Sequence, residues 1–249
     1  MHPFVNIFGR AIPTYSLCIL AGILLACPAL ILLSKNFKVK IEDAIYSFLY
    51  ALIGLIVGAK LLYLLTNISS LPSIIRQYGI QALLRGGFVI YGGLIGAFST
   101  TYIYCRQFHL RPQEIFSLLI TVCPLIQCCG RIGCLLAGCC YGLPYDGRFS
   151  VLIEGCRRFP IQAVSSALDL ILFLFLLFHG IFSKRKNLQF PLYLILYSTG
   201  RFAIEFFRAD ATRGFFGPFS TSQWISLAFF TTGTILTIKA ANRKSLHTE

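Results

Sequence analysis

Long apolar runs, broken by short polar segments, set the rhythm of this chain. Crossing a hydrocarbon core of ~30 Å takes a helix of about 20 residues, and the runs near 13–33, 43–66, 88–105, 112–129, 161–182, 189–208 and 219–238 have that length. They do not alternate in polarity as barrel strands do. The expected fold is therefore all-α, a polytopic membrane protein with seven transmembrane helices. Leu71 to Leu84 departs from the pattern, because Arg76, Gln77 and Gln81 interrupt Ile74, Ile75, Ile80, Leu83 and Leu84. That mixture predicts an additional helix lying in the membrane interface. No repeat, low-complexity tract or linker divides the chain, which predicts a single integral membrane domain over 1–249.

Composition agrees: 56% hydrophobic and 12% charged residues, with a mean hydropathy of +0.74, exclude a soluble domain of this size. The net charge of +13 raises the question of nucleic acid. The basic residues are spread over many loops, however, and the acidic ones are scarce, so no nucleic-acid partner is expected. Membrane orientation accounts for the charge better. Lys35, Lys38, Lys40, Lys184, Lys186, Lys239 and Lys244 fall on one side of a seven-span arrangement, with Arg106, Arg111, Arg185 and Arg243. That side is expected to be cytoplasmic, which puts the C-terminus inside and the N-terminus outside. The opposite side keeps Arg10, Arg76, Arg85, Arg131, Arg148, Arg157, Arg158, Arg208 and Arg213. Arginines retained against the orientation bias are candidates for anion contacts. Lys60, late in the second run, reads equally as a snorkelling interfacial lysine and as a binding group. Met1 to Arg10 lacks the cationic start of a secretory signal, so the first run reads as a retained span.

The densest chemistry lies in Gln127-Cys-Cys-Gly-Arg131-Ile-Gly-Cys134-Leu-Leu-Ala-Gly138-Cys-Cys-Tyr141-Gly142, which surrounds one arginine with glycines. A guanidinium offers a planar fork of donors, and glycines let backbone N–H groups approach a phosphate. A second cluster, Gly200-Arg201-Phe-Ala-Ile-Glu205-Phe-Phe-Arg208, places three charges at i, i+4 and i+7 on one helix face. A buried ion pair alone explains two of them. Three charges on one membrane face favour a polar cavity. Asp169, inside the fifth run, needs a polar partner for the same reason. Tyr91-Gly92-Gly93-Leu-Ile-Gly96 combines a hydroxyl with glycines that read first as close helix packing. The cysteines Cys128, Cys129, Cys134, Cys139, Cys140 and Cys156 contain no C-x2-C pair, so no metal is expected. Disulfides are open to them on the outer side. They read best as small apolar residues at a crowded helix end, with one functional thiol among them.

Taken together, Gly130-Arg131-Ile-Gly133, Gly138, Tyr141-Gly142, Tyr91-Gly92-Gly93-Leu-Ile-Gly96, Phe159-Pro160-Ile-Gln162, the Gly200–Arg208 cluster and Ser222-Gln223-Trp224 resemble the prolipoprotein diacylglyceryl transferases of bacteria. The resemblance covers nearly the whole chain. It implies a multi-pass enzyme of the bacterial cytoplasmic (inner) membrane whose partners are phosphatidylglycerol, drawn from the membrane lipid, and a preprolipoprotein signal peptide with a lipobox cysteine. The diacylglyceryl group moves to that cysteine thiol, a thioether forms, glycerol phosphate leaves, and neither a metal nor a soluble cofactor is needed. The resemblance further implies Arg131 as a phosphate clamp and Arg201 as a second, oriented by Glu205. Arg208 lines the same cavity, and Tyr91 or Glu205 assists thiol deprotonation. Gly133, Gly138, Tyr141, Gly142, Gln162 and Lys60 complete the substrate-binding set. The chain departs from the family where Tyr91 replaces a histidine, Cys134 an asparagine and Cys139 a glutamate. Val164 and Ser165 stand where the family has tyrosine and glutamate. The alternatives are a lipid transferase with another acceptor, including Cys134 or Cys139 as a transient lipid carrier, and a non-catalytic phospholipid-binding membrane protein.

Overall fold

Many large apolar side chains of the described residues are exposed. In the computed structural model, which describes residues 2–7, 9–79, 87–153, 155–209 and 214–245, Leu32 is 76% exposed and Phe182 77%. Helices apolar all round are those of a membrane protein. They are α1 (Thr14–Ser34), α2 (Ile41–Thr66), α3 (Leu71–Tyr78), α4 (Ile90–Gln107), α5 (Pro112–Ala137), α6 (Ile161–Phe182), α7 (Gln189–Glu205) and α8 (Thr221–Ser245). Among the described residues, five segments are long and apolar enough to cross a membrane: α1, α2, α5, α6 and Thr221–Asn242 of α8. The protein is multi-pass. The stretch expected as an interfacial helix forms α3 in its first half, while residues 80–84 lie outside the described residues.

The chain divides into two compact units, Lys38–Phe116 and a larger one made of Met1–Phe37 with Ser117–Glu249. In the smaller unit α2 and α4 are in backbone contact. A Cβ on Gly58 would collide with the Gly92 carbonyl, and one on Gly92 with the Gly58 carbonyl. Small residues four apart on facing helices allow that approach, and Thr100 Oγ1 adds an interhelical bond to the Tyr50 carbonyl at 2.8 Å.

In the larger unit α1, α5, α6, α7 and α8 alternate in direction. At one end His2 N–H donates to the Leu136 carbonyl (3.0 Å), and Leu143 N–H donates to that of Phe207 (2.9 Å). At the other, Asn36 Nδ2 reaches the Ile181 carbonyl (3.5 Å) and Lys186 Nζ donates to the Asn36 carbonyl. The core between them includes Leu172, Leu176, Tyr193 and Leu194.

Two sequence expectations change. The fourth expected span, α5, runs to Ala137 rather than ending at 129, so Arg131, Gly133 and Cys134 are helical. Its glycines face α1: a Cβ on Gly133 would stand 3.0 Å from Cys18 Cβ, and one on Gly22 2.9 Å from Cys129 Cβ. Close packing outweighs the modest helix propensity of glycine. The fold is also not purely helical. Among the described residues, three short antiparallel hairpins accompany the helices: β1 (Phe4–Ile7) with β2 (Arg10–Pro13) before α1, β3 (Val151–Ile153) with β4 (Cys156–Arg158) between α5 and α6, and β5 (Phe215–Phe216) with β6 (Phe219–Ser220) between α7 and α8. Each turns at a glycine with positive φ, Gly9, Gly155 or Gly217, where an L side chain is strained.

Candidate functional site

The charged face of α7 builds the site. Arg201 Nη2 meets Glu205 Oε2 at 2.9 Å, and Arg208 Nη1 approaches the same oxygen at 3.6 Å. Ser220 Oγ, where α8 begins, donates to Glu205 Oε1 at 3.0 Å, and the Ser220 backbone N–H donates to Gln223 Oε1 at 2.9 Å. Glu205 is 3% exposed. A carboxylate held between two guanidiniums and a hydroxyl fixes their positions.

Beside this face lies a cavity of about 290 Å³ lined on its polar side by Arg131, Ser165, Asp169, Tyr197 and Arg201. Leu168, Ile171 and Phe175 supply its apolar wall. Arg131 comes from α5, Asp169 from α6, and Tyr197 and Arg201 from α7, so three helices meet on it. Arg131 is in electrostatic reach of Tyr197 and Asp169, and also of Cys134 and Cys140. Arg201 is in reach of Arg208, Glu205 and Arg131. Three guanidiniums stand against two carboxylates, which leaves at least one positive charge in excess. A water-poor cavity with that surplus favours an anion. Ser165, Tyr197 and Asp169 are polar liners that sequence reasoning did not assign to the site. The signal for Tyr197 is its place one helical turn before Arg201, on the face that carries Glu205 and Arg208. That for Asp169 is its charge within an apolar run.

The segment after α5 is latched to α6 and α7. Gly142 and Arg208 form a β-bridge, Ala209 N–H donates to the Tyr141 carbonyl at 3.2 Å, and a Cβ on Gly142 would strike the Phe159 carbonyl. Gln162, 1% exposed, donates from Nε2 to the Cys139 carbonyl at 2.8 Å. The Arg158 guanidinium sits 4.0 Å from the Tyr141 ring centroid, a cation–π contact. Gly138, with φ +75°, caps α5. Gly133 serves the packing against α1 described above. Gly138, Tyr141, Gly142 and Gln162 therefore shape the loop beside Arg131.

Three thiols converge there. The Sγ atoms of Cys134, Cys139 and Cys140 all lie within 4.8 Å of one another. Cys140 is lowered to about 6, first because the Cys134 thiol donates toward its sulfur, and further by the Cys139 thiol and by Arg208 and Arg131, which outweigh burial. Burial and the neighbouring Cys140 push Cys139 up.

Tyr91 and Lys60 belong to the smaller unit. Tyr91 is exposed, in the first turn of α4. Lys60 Nζ donates to the Gly87 carbonyl at 3.4 Å and stands 4.8 Å from the Phe88 ring centroid.

Residues 3–239 match the family described as prolipoprotein diacylglyceryl transferase. The chain is 37% identical over 235 residues to the phosphatidylglycerol–prolipoprotein diacylglyceryl transferase of Clostridium tetani, covering 89% of this chain and 90% of that one. It is 35% identical over 244 residues to transferase 2 of Clostridium perfringens, covering 93% and 92%. With the enzyme of Finegoldia magna it shares 30% over 237 residues, covering 94% and 93%.

Proposed function

The chain belongs to the prolipoprotein diacylglyceryl transferase family, and we propose that it performs the reaction its relatives are named for. It is a transferase that moves the diacylglyceryl group of phosphatidylglycerol to the lipobox cysteine thiol of a prolipoprotein. The observation that carries this reading is the cavity with surplus positive charge between Arg131 and Arg201. A phosphodiester is an anion of fitting size for about 290 Å³, and the apolar wall of Leu168, Ile171 and Phe175 faces the side from which acyl chains come. Arg131 and Arg201 hold the phosphate. As the glyceryl C–O bond breaks, negative charge grows on the departing glycerol phosphate, and fixed guanidiniums stabilise it where water is scarce. Glu205 positions Arg201 and Arg208. Gln162, Tyr141 and Gly142 hold the thiol-bearing loop beside them, with Gly133 and Gly138 setting the helix end it leaves from.

The whole chain, both units included, acts as one integral domain of the bacterial inner membrane. α4 and α7, with 18 and 17 residues, complete seven spans, since ~1.5 Å per residue nearly crosses a hydrocarbon core. α3 lies in the interface. The lysine-rich end of the larger unit is cytoplasmic and the arginine end outward, which puts the N-terminus outside and the C-terminus inside. Tyr91 and Lys60 are assigned to the substrate-handling set from their sequence positions.

Expression in bacteria depleted of their own transferase tests the reading. A reporter prolipoprotein should gain a thioether-linked diacylglyceryl group, visible as a mobility shift and by mass spectrometry. Arg131→Ala should abolish it at unchanged protein level. An unmodified reporter in the presence of correctly inserted protein refutes the transfer reaction. Full turnover by Arg131→Ala refutes the clamp.

A further inference from the structure

We propose that Cys134, Cys139 and Cys140 form a three-thiolate zinc site whose fourth position takes the thiol of the acceptor cysteine. The site comes from how α5 ends. Gly138 N–H donates to the Leu135 carbonyl and Cys139 N–H to the Cys134 carbonyl, both at 3.2 Å, around a glycine with φ +75°. This is a Schellman motif, which sets the second residue past the helix cap against the third from its end. Here those two residues are Cys139 and Cys134. Cys140 then takes φ +58°, a left-handed conformation that an L residue adopts only under constraint. It folds the third thiol back onto the first two. Gln162 holds the Cys139 carbonyl from α6, so the turn is braced from outside.

The result is three Sγ atoms within 4.8 Å of one another. Zn–S bonds of ~2.3 Å ask for sulfurs nearly 4 Å apart, which side-chain rotation supplies. The C-x4-C-C spacing argues against a metal only while the chain is read as a line. Exposure is graded, with Cys134 buried, Cys140 intermediate and Cys139 exposed. A set of three ligands with one open side is the pattern of a zinc site that binds a fourth group from outside. Three thiolates and Zn²⁺ carry one net negative charge, and Arg208 and Arg131 both act on Cys140. Those guanidiniums also hold the site beside the phosphate cavity.

The role rests on the proposed transfer reaction. That reaction needs a thiolate, and Glu205 is committed to its arginines and Ser220. A thiol that coordinates zinc is deprotonated outright. The acceptor R–SH binds the ion and releases its proton to water. Its sulfur then forms the C–S bond to the glyceryl carbon while the C–O bond to phosphate breaks, and the electron pair departs on glycerol phosphate. The thioether product is a weak ligand and leaves the ion free for the next thiol.

Full-length protein, purified in detergent under reducing conditions and stripped with a chelator, is titrated with Co²⁺ as a spectroscopic stand-in and then with Zn²⁺ as competitor. One Co²⁺ per chain should give sulfur-to-metal charge transfer and tetrahedral visible bands. Cys139→Ser and Cys140→Ser, checked by gel filtration and thermal melting, should each weaken binding at least about tenfold, while Cys156→Ser should not. A lipobox peptide should shift the visible bands, and its Cys→Ser form should not. Absence of charge transfer, or its survival in both variants, overturns the site. Bands indifferent to the thiol peptide overturn the open position. Full lipidation by metal-free protein overturns the inference and leaves the transfer reaction standing, whereas stoichiometric metal without any lipidation overturns the transfer reaction alone.

Discussion

Glu205→Gln separates an architectural carboxylate from a proton acceptor. The substitution keeps shape and an oxygen for Ser220 Oγ, 3.0 Å away, but removes the charge facing Arg201 at 2.9 Å and Arg208 at 3.6 Å. Breaking a buried pair by deleting one partner costs ~3–5 kcal/mol. The Arg201 and Arg208 side chains are 15% and 13% exposed, so partial solvation brings the expectation to the lower end, about 3 kcal/mol. The unmatched guanidiniums should also prefer a bound anion. In nanodiscs of neutral lipid the variant should therefore melt well below wild type, and phosphatidylglycerol should recover more stability in the variant than in wild type. Thermal unfolding followed by tryptophan fluorescence in the two lipids measures both, with Ser220→Ala as the control that leaves the ion pairs in place. Equal melting of wild type and Glu205→Gln in neutral lipid refutes the reasoning. So does a loss of activity at unchanged stability, because that is the mark of a base.

Other outcomes follow from other parts of the fold. Gly58→Ala pushes a methyl into the Gly92 carbonyl and should cost ~1–3 kcal/mol by overpacking, read as a lower melting temperature. In metal-stripped protein Cys140, lowered to about 6, should be alkylated by iodoacetamide with half-maximal rate near pH 6. The rate rises with pH because the thiolate is the nucleophile, and Arg208→Ala should move the midpoint upward. Cys139, although exposed, should react more slowly at neutral pH, since its thiol is pushed up. Tyr91→Phe should lower the lipidation rate without lowering melting, and unchanged turnover removes Tyr91 from the reaction.

The helices were legible because apolar runs of spanning length have few alternative folds in a bilayer. The end of α5 was not. The apolar run stops near 129, yet the helix continues because Gly133 serves contact with Tyr15 and Cys18 of α1, a partner more than 100 positions away that no local window contains. The charged face of α7 was visible because helical spacing alone puts Arg201, Glu205 and Arg208 together. Tyr197 shares that spacing but carries no charge, and tyrosines are common in membrane helices for interfacial reasons. The thiol cluster was hidden because its geometry depends on two left-handed residues, Gly138 and Cys140. Sequence marks the first by its glycine and the second by nothing.

The site's two halves differ in what holds them. Arg131, Asp169, Tyr197 and Arg201 stand on three packed helices, where a change at one position is resisted by neighbours on the other two. Cys139 and Cys140 stand on a turn whose shape is set by backbone bonds to Cys134 and Leu135, by Gln162 and by the bridge from Gly142 to Arg208. Side chains on such a turn can be exchanged without disturbing the helices beneath. Anion binding needs fixed guanidiniums, so it belongs on the rigid half. In the proposed reaction, handling an incoming thiol needs access and a choice of ligand chemistry, which the turn offers. Gln162 couples the two, because it stands on α6 seven residues before Asp169 and grips the Cys139 carbonyl, which ties the thiols to the helix that lines the arginine cavity.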